Sequence, residues 1–262
     1  MNIYSLLGFL MAIGVLVSGV VMSTDKYHIF IDHIAFVLVI GGTFAATAIS
    51  FQLDRLFVLF KFFLSRVLGT RRTNFQDIIK ELMKICEDYR QGESFDALSN
   101  KSKDPFLKDA LVLASDDIVS EKELLSILQE RCKNMHYHNM EEAGKVKSIA
   151  KYPPAFGLMG TSLGMVVLLS NLGGTDALKT VGPAMGICLT ATLYGIILAN
   201  LVIFPISEHL VDASKEVELK NRMIIEGIRL MLLKTSPIIV AERLNSFLQP
   251  GKRLDWKKAL GK

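Results

Sequence analysis

Four stretches of this chain carry no Asp, Glu, Lys or Arg: residues 1–24, 34–53, 152–175 and 180–207. Each reaches the roughly 20 residues that an α-helix needs to cross about 30 Å of hydrocarbon. A lone apolar segment in lipid must satisfy every backbone N–H and C=O internally, which makes it a helix. The expected fold is an all-α polytopic membrane protein with four transmembrane helices. A chain that is half hydrophobic, with a mean hydropathy of +0.36, agrees with this. The opening residues Met1-Asn2-Ile3-Tyr4 lack the basic segment of a cleaved signal peptide, so the first window is read as a membrane helix.

The distribution of Lys and Arg orients the helices, because cytoplasmic segments retain the positive charges. Residues 53–151 hold 17 of the 30 and residues 208–262 hold 11, against one each, Lys26 and Lys179, in the two short connections. The expected order is membrane helix 1–24, outer loop 25–33, membrane helix 34–53, cytoplasmic helical domain 54–151, membrane helix 152–175, short outer loop 176–179, membrane helix 180–207 and cytoplasmic helical tail 208–262. Both termini then lie in the cytoplasm. The large segment 53–151 balances its bases with 16 acids, so nucleic-acid binding is not expected.

The cytoplasmic segment reads as a helical bundle inserted between the second and third membrane helices. From Asn74 to Gly92 the apolar residues Phe75, Ile78, Ile79, Leu82, Met83, Ile85, Cys86 and Tyr89 recur at helical period, and Gly92 marks a stop. Asp104-Pro105 opens a second helix, and Ser120 with Glu123 forms a capping box for a third that runs past Lys147. Pro153-Pro154 marks the entry to the third membrane helix, and Pro237 breaks the helical tail.

Enzyme chemistry has little to work with. No Gly-rich phosphate loop is followed by Lys-Ser/Thr. His136 and His138 diverge on a helix and read as a solvated face; Asp116-Asp117 reads as a helix end. Cys86, Cys132 and Cys188 show neither metal nor redox spacing. No enzyme activity, resident metal or cofactor is expected.

The membrane helices say more. Gly157, Gly160, Thr161 and Gly164 share one face of the third, where another helix can approach the backbone closely. The fourth carries Gly182, Gly186, Thr192, Gly195 and Ala199. With a turn at Gly173-Gly174-Thr175-Asp176, Thr161 lies fifteen residues before Asp176 and Thr192 sixteen after it, so the two hydroxyls share a depth. Back-bonding to carbonyls four residues earlier is one reading of such threonines. A path for a small hydrated cation, or a polar partner helix, is the other. Ion translocation also needs a carboxylate, and none of the four windows holds one. The acid must come from another chain, and the glycine face is expected to receive its helix.

The paired segments "PPAFGLMGTSLGMVVLLSNLGG" and "GPAMGICLTATLYGIILANLVIFPI", with two helices and a large insertion before them, resemble the MotA/PomA stator proteins of the bacterial flagellar motor, within the MotA/TolQ/ExbB superfamily. The resemblance covers essentially the whole chain. It implies a homo-oligomer, a ring of five subunits in the inner membrane, around a MotB/PomB-type partner. That partner has a single transmembrane helix bearing an ion-binding aspartate and a peptidoglycan-binding domain. Ion flow then generates torque on the rotor protein FliG for swimming motility. By motif, Pro154 and Pro205 resemble the prolines linked to torque, Thr161 and Thr192 the hydroxyls beside the ion path, and Asp32 in "FIDHIAFVLVIGG" an acid at the outer mouth. Arg90 in "DYRQG" is similar to a rotor-facing arginine.

Threonine at 161, where proton-type members often have alanine, tilts the expectation from a proton toward sodium, a hard cation that wants several oxygen ligands. This chain also departs from the pattern. Where familiar members carry glutamates after the arginine it reads Leu98-Ser99-Asn100, so Glu93, Asp96 or Asp104 would have to substitute, and Ala191 stands where relatives often have a second threonine. The rival readings are a non-flagellar or ExbB/TolQ-like ion-driven energiser of an envelope process, and a membrane scaffold without transport.

Overall fold

The computed structural model describes residues 3–25, 27–51, 74–115, 119–171 and 177–256. The turn 173–176, Lys26, Asp116-Asp117 and residues 52–73, the first part of the segment expected in the cytoplasm, lie outside the described residues. Every regular element among those described is helical: α1 (Ile3–Ser23), α2 (His33–Ser50), α3 (Phe75–Arg90), α4 (Phe95–Lys101), α5 (Pro105–Ser115), α6 (Glu121–Ile149), α7 (Tyr152–Asn171), α8 (Ala177–Ile197), α9 (Phe204–Leu232) and α10 (Pro237–Asn245). Among the described residues three helical runs are long and apolar enough to cross a membrane, His33–Ser50 and runs within Glu121–Ser170 and Val181–Leu232, and α1 adds a further apolar helix of 21 residues.

The chain divides into two compact units, residues 1–71 with 141–211, and residues 72–140 with 212–262. The first is the apolar one. Here α7 and α8 form an antiparallel pair whose spacing is set by small residues. A Cβ at Gly157 would meet the Ala191 carbonyl oxygen at 3.0 Å, one at Gly160 the Ala191 Cβ at 2.6 Å, and one at Gly195 the Pro153 carbonyl oxygen at 2.5 Å. A Cβ at Gly164 would run into the Cys188 sulfur. The small residues therefore bring two backbones into contact. Helix α2 packs beside them through Leu38 against Gly160 and through Gly42 beneath the Phe156 ring.

Proline placement follows the backbone's needs. Pro153 and Pro154 occupy the first turn of α7, where an N–H would have no intrahelical partner. Pro205 is different, because its ring excludes the carbonyl four residues back. The helix answers with a π-helical stretch, Leu198–Ile203, immediately before it. A second π-helical stretch, Val37–Gly41, interrupts α2.

The second unit buries a core from α3, α4, α5, α10 and the adjoining parts of α6 and α9, including Ile79, Leu82, Leu107, Leu128, Ile224 and Leu244. Its helix ends follow the sequence signals. Ser120 and Glu123 close the capping box reciprocally, each accepting from the other's backbone N–H at 3.4 and 3.1 Å. Gly92, at φ +96°, ends α3 in a Schellman turn in which Glu93 N–H donates to Asp88 C=O and Gly92 N–H to Tyr89 C=O.

Candidate functional site

The centre of the α7–α8 pair is a cluster of oxygens. Thr161 Oγ1 lies 2.6 Å from Thr192 Oγ1. Thr161 also has the Cys188 carbonyl as acceptor at 2.9 Å and the Gly157 carbonyl at 3.1 Å, while Thr192 reaches the Cys188 carbonyl at 3.3 Å. The back-bonds to residues 157 and 188 are the local pattern of a helical threonine. The bond between the hydroxyls, and that from Thr161 to Cys188, cross from one helix to the other. Two hydroxyl protons can serve only two of these contacts at once, so oxygen lone pairs remain at the cluster. Both threonines are half-buried.

Cys188 was not singled out by sequence, yet its carbonyl is shared by the two hydroxyls and its thiol donates to the Thr161 carbonyl at 3.3 Å. The signal available was its position four residues before Thr192. Cys86 and Cys132 lie in the other unit, and burial pushes the Cys86 thiol up to about 12 and raises that of Cys132. Neither thiol is set up as a nucleophile.

The faces of Gly157, Gly160 and Gly164, expected to receive a foreign helix, are filled from within the chain by α8 and α2, and Gly195 is filled by the Pro153-Pro154 turn. Ala199 is likewise buried at 1% exposure. The physical reason is that a glycine row serves the first helix able to reach it, and the hairpin partner arrives at the highest effective concentration. The small-residue positions left open are Gly182 and Gly186, where a Cβ would meet nothing within 4 Å. Around them Met185 and Leu189 of α8, and Leu163 and Val166 of α7, stay exposed.

Asp32 precedes α2 and caps it, Oδ1 accepting from the Ala35 N–H at 2.8 Å. Its backbone N–H donates to the Tyr194 hydroxyl at 3.1 Å. Pro154 touches the Gly195 site, and Pro205 follows the π-helical stretch.

In the other unit, Arg90 is exposed at the end of α3 and makes no ion pair among the described residues. Asp96 is exposed in the first turn of α4. Glu93 is held with Asp88 by Lys101, at 2.5 and 3.1 Å, an arrangement that raises the Lys101 ammonium above its ordinary range. Asp104, a candidate replacement acid, is not free: Oδ2 pairs with Lys220 at 2.6 Å, and Oδ1 accepts from the Phe106 and Leu107 N–H groups. Leu98 is fully buried. No three His, Cys, Asp or Glu side chains among the described residues come together to hold a metal. His136 instead bonds Ser214 at 3.0 Å and faces Glu218 at 3.5 Å.

The family described as the MotA/TolQ/ExbB proton channel family matches residues 98–223. Two curated relatives extend the match to almost the full length. The chemotaxis protein PomA of Vibrio alginolyticus is 25% identical over 97% of this chain and 98% of its own. A motility protein A of Borreliella burgdorferi is 28% identical over 100% of this chain and 99% of its own. Over residues 98–223 this chain is similar to the MotA/TolQ/ExbB family. Among solved structures, the MotAB complex of C. jejuni superposes with a TM-score of 0.83 at 20% identity, covering 95% of this chain and 97% of that one. The flagellar MotAB stator complex of Bacillus subtilis gives 0.79 at 24% identity, covering 98% and 97%. At those identities the likeness is one of fold, and it extends over both units.

Proposed function

We propose that this chain is the ion-conducting stator subunit of a bacterial flagellar motor, acting with a single-helix partner of the MotB/PomB type. The observation that carries the reading is the oxygen cluster of Thr161, Thr192 and the Cys188 carbonyl at the core of a helical hairpin whose two apolar windows, 152–175 and 180–207, hold no carboxylate. Such a cluster supplies neutral ligands and leaves the charge to be brought by another chain. The relatives named PomA and motility protein A, and the complexes solved as MotAB, support such a partner. On this reading a ring of these subunits, five in number by family resemblance, sits in the inner membrane with both termini in the cytoplasm. The cytoplasmic unit works on the rotor protein FliG, with Arg90 and Asp96 as the exposed charges near the α3–α4 turn.

Sodium is the ion that this cluster favours over a proton. Replacing part of a hard cation's hydration shell takes several oxygens in a small space, whereas a proton needs only the acid. The test is the swimming speed of cells in which this chain and its partner are the sole stator, with sodium varied at constant ionic strength and constant proton-motive force. Speed that rises and saturates with sodium supports a sodium-driven stator. Equal speed without sodium removes the sodium assignment and leaves a proton-driven motor; no swimming at any sodium or pH removes the flagellar reading.

A further inference from the structure

Tyr194 is a residue that the oxygen cluster does not use. It lies two positions after Thr192 on α8, which turns it away from α7 and toward α2. There it packs with Ala35, Val39 and Ala191. Its phenol ends on the short segment that precedes α2: the hydroxyl donates to the Phe30 carbonyl at 2.5 Å and accepts from the Asp32 N–H at 3.1 Å. One hydroxyl thus satisfies two backbone groups, one at the end of the 3-10 turn Tyr27–Phe30 and one just before α2, that would otherwise need water.

The side chain of Asp32 is pinned from the other direction. Oδ1 is committed to the N–H of Ala35 at the start of α2, and Oδ2 has no partner among the described residues. The backbone on one side of the carboxylate is held by Tyr194 and the carboxylate itself by the helix start, so Oδ2 is a fixed oxygen with one direction left open. A carboxylate oxygen held in place beside the helix that carries Thr192 is suited to attract a cation before it loses its water.

We propose that Tyr194 is a positioning residue for cation entry: its hydroxyl fixes the segment Phe30–Asp32 so that Asp32 Oδ2 presents one oriented anionic ligand to the incoming ion. The inference rests on the reading of the chain as an ion-driven stator. It adds a role for a residue that touches no oxygen of the Thr161–Thr192 cluster. Tyr194→Phe removes both hydrogen bonds and keeps the ring against Ala35 and Val39, so it separates the hydroxyl's role from packing.

The experiment records swimming speed with the full chain and its partner as sole stator, against external sodium at constant proton-motive force and against external pH at constant sodium. Wild type, Tyr194→Phe, Asp32→Asn and the double variant are compared, with assembled complex measured in each. Speed in the wild type identifies the ion, and its midpoint is the quantity followed. Tyr194→Phe is expected to raise the midpoint concentration of that ion about threefold to tenfold, the size of one or two net hydrogen bonds, with the saturating speed retained. Asp32→Asn is expected to raise it at least as much, and the double variant no further than Asp32→Asn alone. A Tyr194→Phe variant that lowers saturating speed or assembly without moving the midpoint has lost a structural bond only, and overturns the proposal while leaving the stator reading intact. So does a midpoint shift that adds in full to that of Asp32→Asn. An unshifted midpoint in Asp32→Asn overturns the role of Asp32 and that of Tyr194 with it, and a wild type whose speed answers to neither ion overturns the underlying reading as well.

Discussion

Thr161 Oγ1 and Thr192 Oγ1 sit 2.6 Å apart across two antiparallel helices, and both reach the carbonyl of Cys188. The arrangement separates an oxygen cluster from ordinary helix packing, because a packing threonine needs only its own carbonyl four residues back. Thr161→Val keeps nearly the same volume and deletes the hydroxyl; Thr161→Ser keeps the hydroxyl and deletes a methyl. If the cluster carries the ion, Thr161→Val should lower speed at limiting ion about tenfold or more, the cost of one lost ligand, and Thr161→Ser should stay close to wild type. Swimming speed at matched amounts of assembled complex decides it. Equal speeds in the two variants would reduce the cluster to packing.

Gly195 and Gly186 lie on the same helix and make opposite predictions. A Cβ at residue 195 would sit 2.5 Å from the Pro153 carbonyl oxygen and 3.1 Å from Pro154 Cα, backbone atoms that have no rotamer to yield. Gly195→Ala is expected to destabilise the hairpin by about 1–3 kcal/mol through overpacking. A Cβ at residue 186 meets nothing within 4 Å, so Gly186→Ala should leave the isolated chain as stable as wild type or slightly more so. Thermal melting of the purified chain in detergent compares them directly, and a stable Gly195→Ala would contradict the close approach of α8 to the Pro153-Pro154 turn.

The contrast between those glycines shows what was legible. Spacing alone marked Gly157, Gly160, Gly164, Gly182, Gly186 and Gly195 as small-residue positions for close approach; Gly157, Gly160, Gly164 and Gly195 are such places, and Gly182 and Gly186 meet nothing within 4 Å. It did not say which helix approaches, because a small-residue row is equally open to a hairpin neighbour and to a foreign helix. Local signals carried well: the capping box of Ser120 and Glu123, the Gly92 stop and the Asp104 cap act within a few residues, and each was readable from those residues. What remained hidden acts over long separations. Asp104 looked like a free acid because its partner, Lys220, is 116 residues away. Tyr194 drew no notice because its two partners, Phe30 and Asp32, lie more than 160 positions earlier.

Asp104 therefore has a structural assignment that can be tested apart from the motor. One oxygen caps α5 through Phe106 and Leu107 N–H, and the other pairs with Lys220, whose side chain is 15% exposed. Asp104→Ala removes the cap and leaves Lys220 without its counter-charge, with an expected cost of about 2–4 kcal/mol. Lys220→Met leaves the cap in place and should cost less. Urea unfolding followed through the buried Leu107 environment, or thermal melting, ranks the two; Lys220→Met as the more damaging change would mean that an Asp104 carboxylate left without its counter-charge costs more than the cap contributes.

Glu226 and Arg229 make a pH-dependent contribution of definite sign. Arg229 donates to both carboxylate oxygens of Glu226, Nε to Oε2 at 2.8 Å and Nη2 to Oε1 at 2.6 Å, with Arg243 Nε a further 3.8 Å away from Oε1. These hydrogen bonds hold the Glu226 carboxyl below its ordinary value, against the opposing effect of burial. A depressed folded-state value means that the pair stabilises the second unit above the ordinary glutamate range, near pH 4.3, and loses that contribution as pH falls through the lowered value. Arg229 is 39% exposed, so solvent screens the pair and its worth is that of a surface bridge. Arg229→Gln should lower the melting temperature by about 1–3 °C at pH 7. The gap from wild type should narrow as the pH falls through that lowered value, below which Glu226 is protonated in both proteins. A gap that stays constant down to pH 3 would show that Arg229 stabilises the helix by packing its stem and not through its charge.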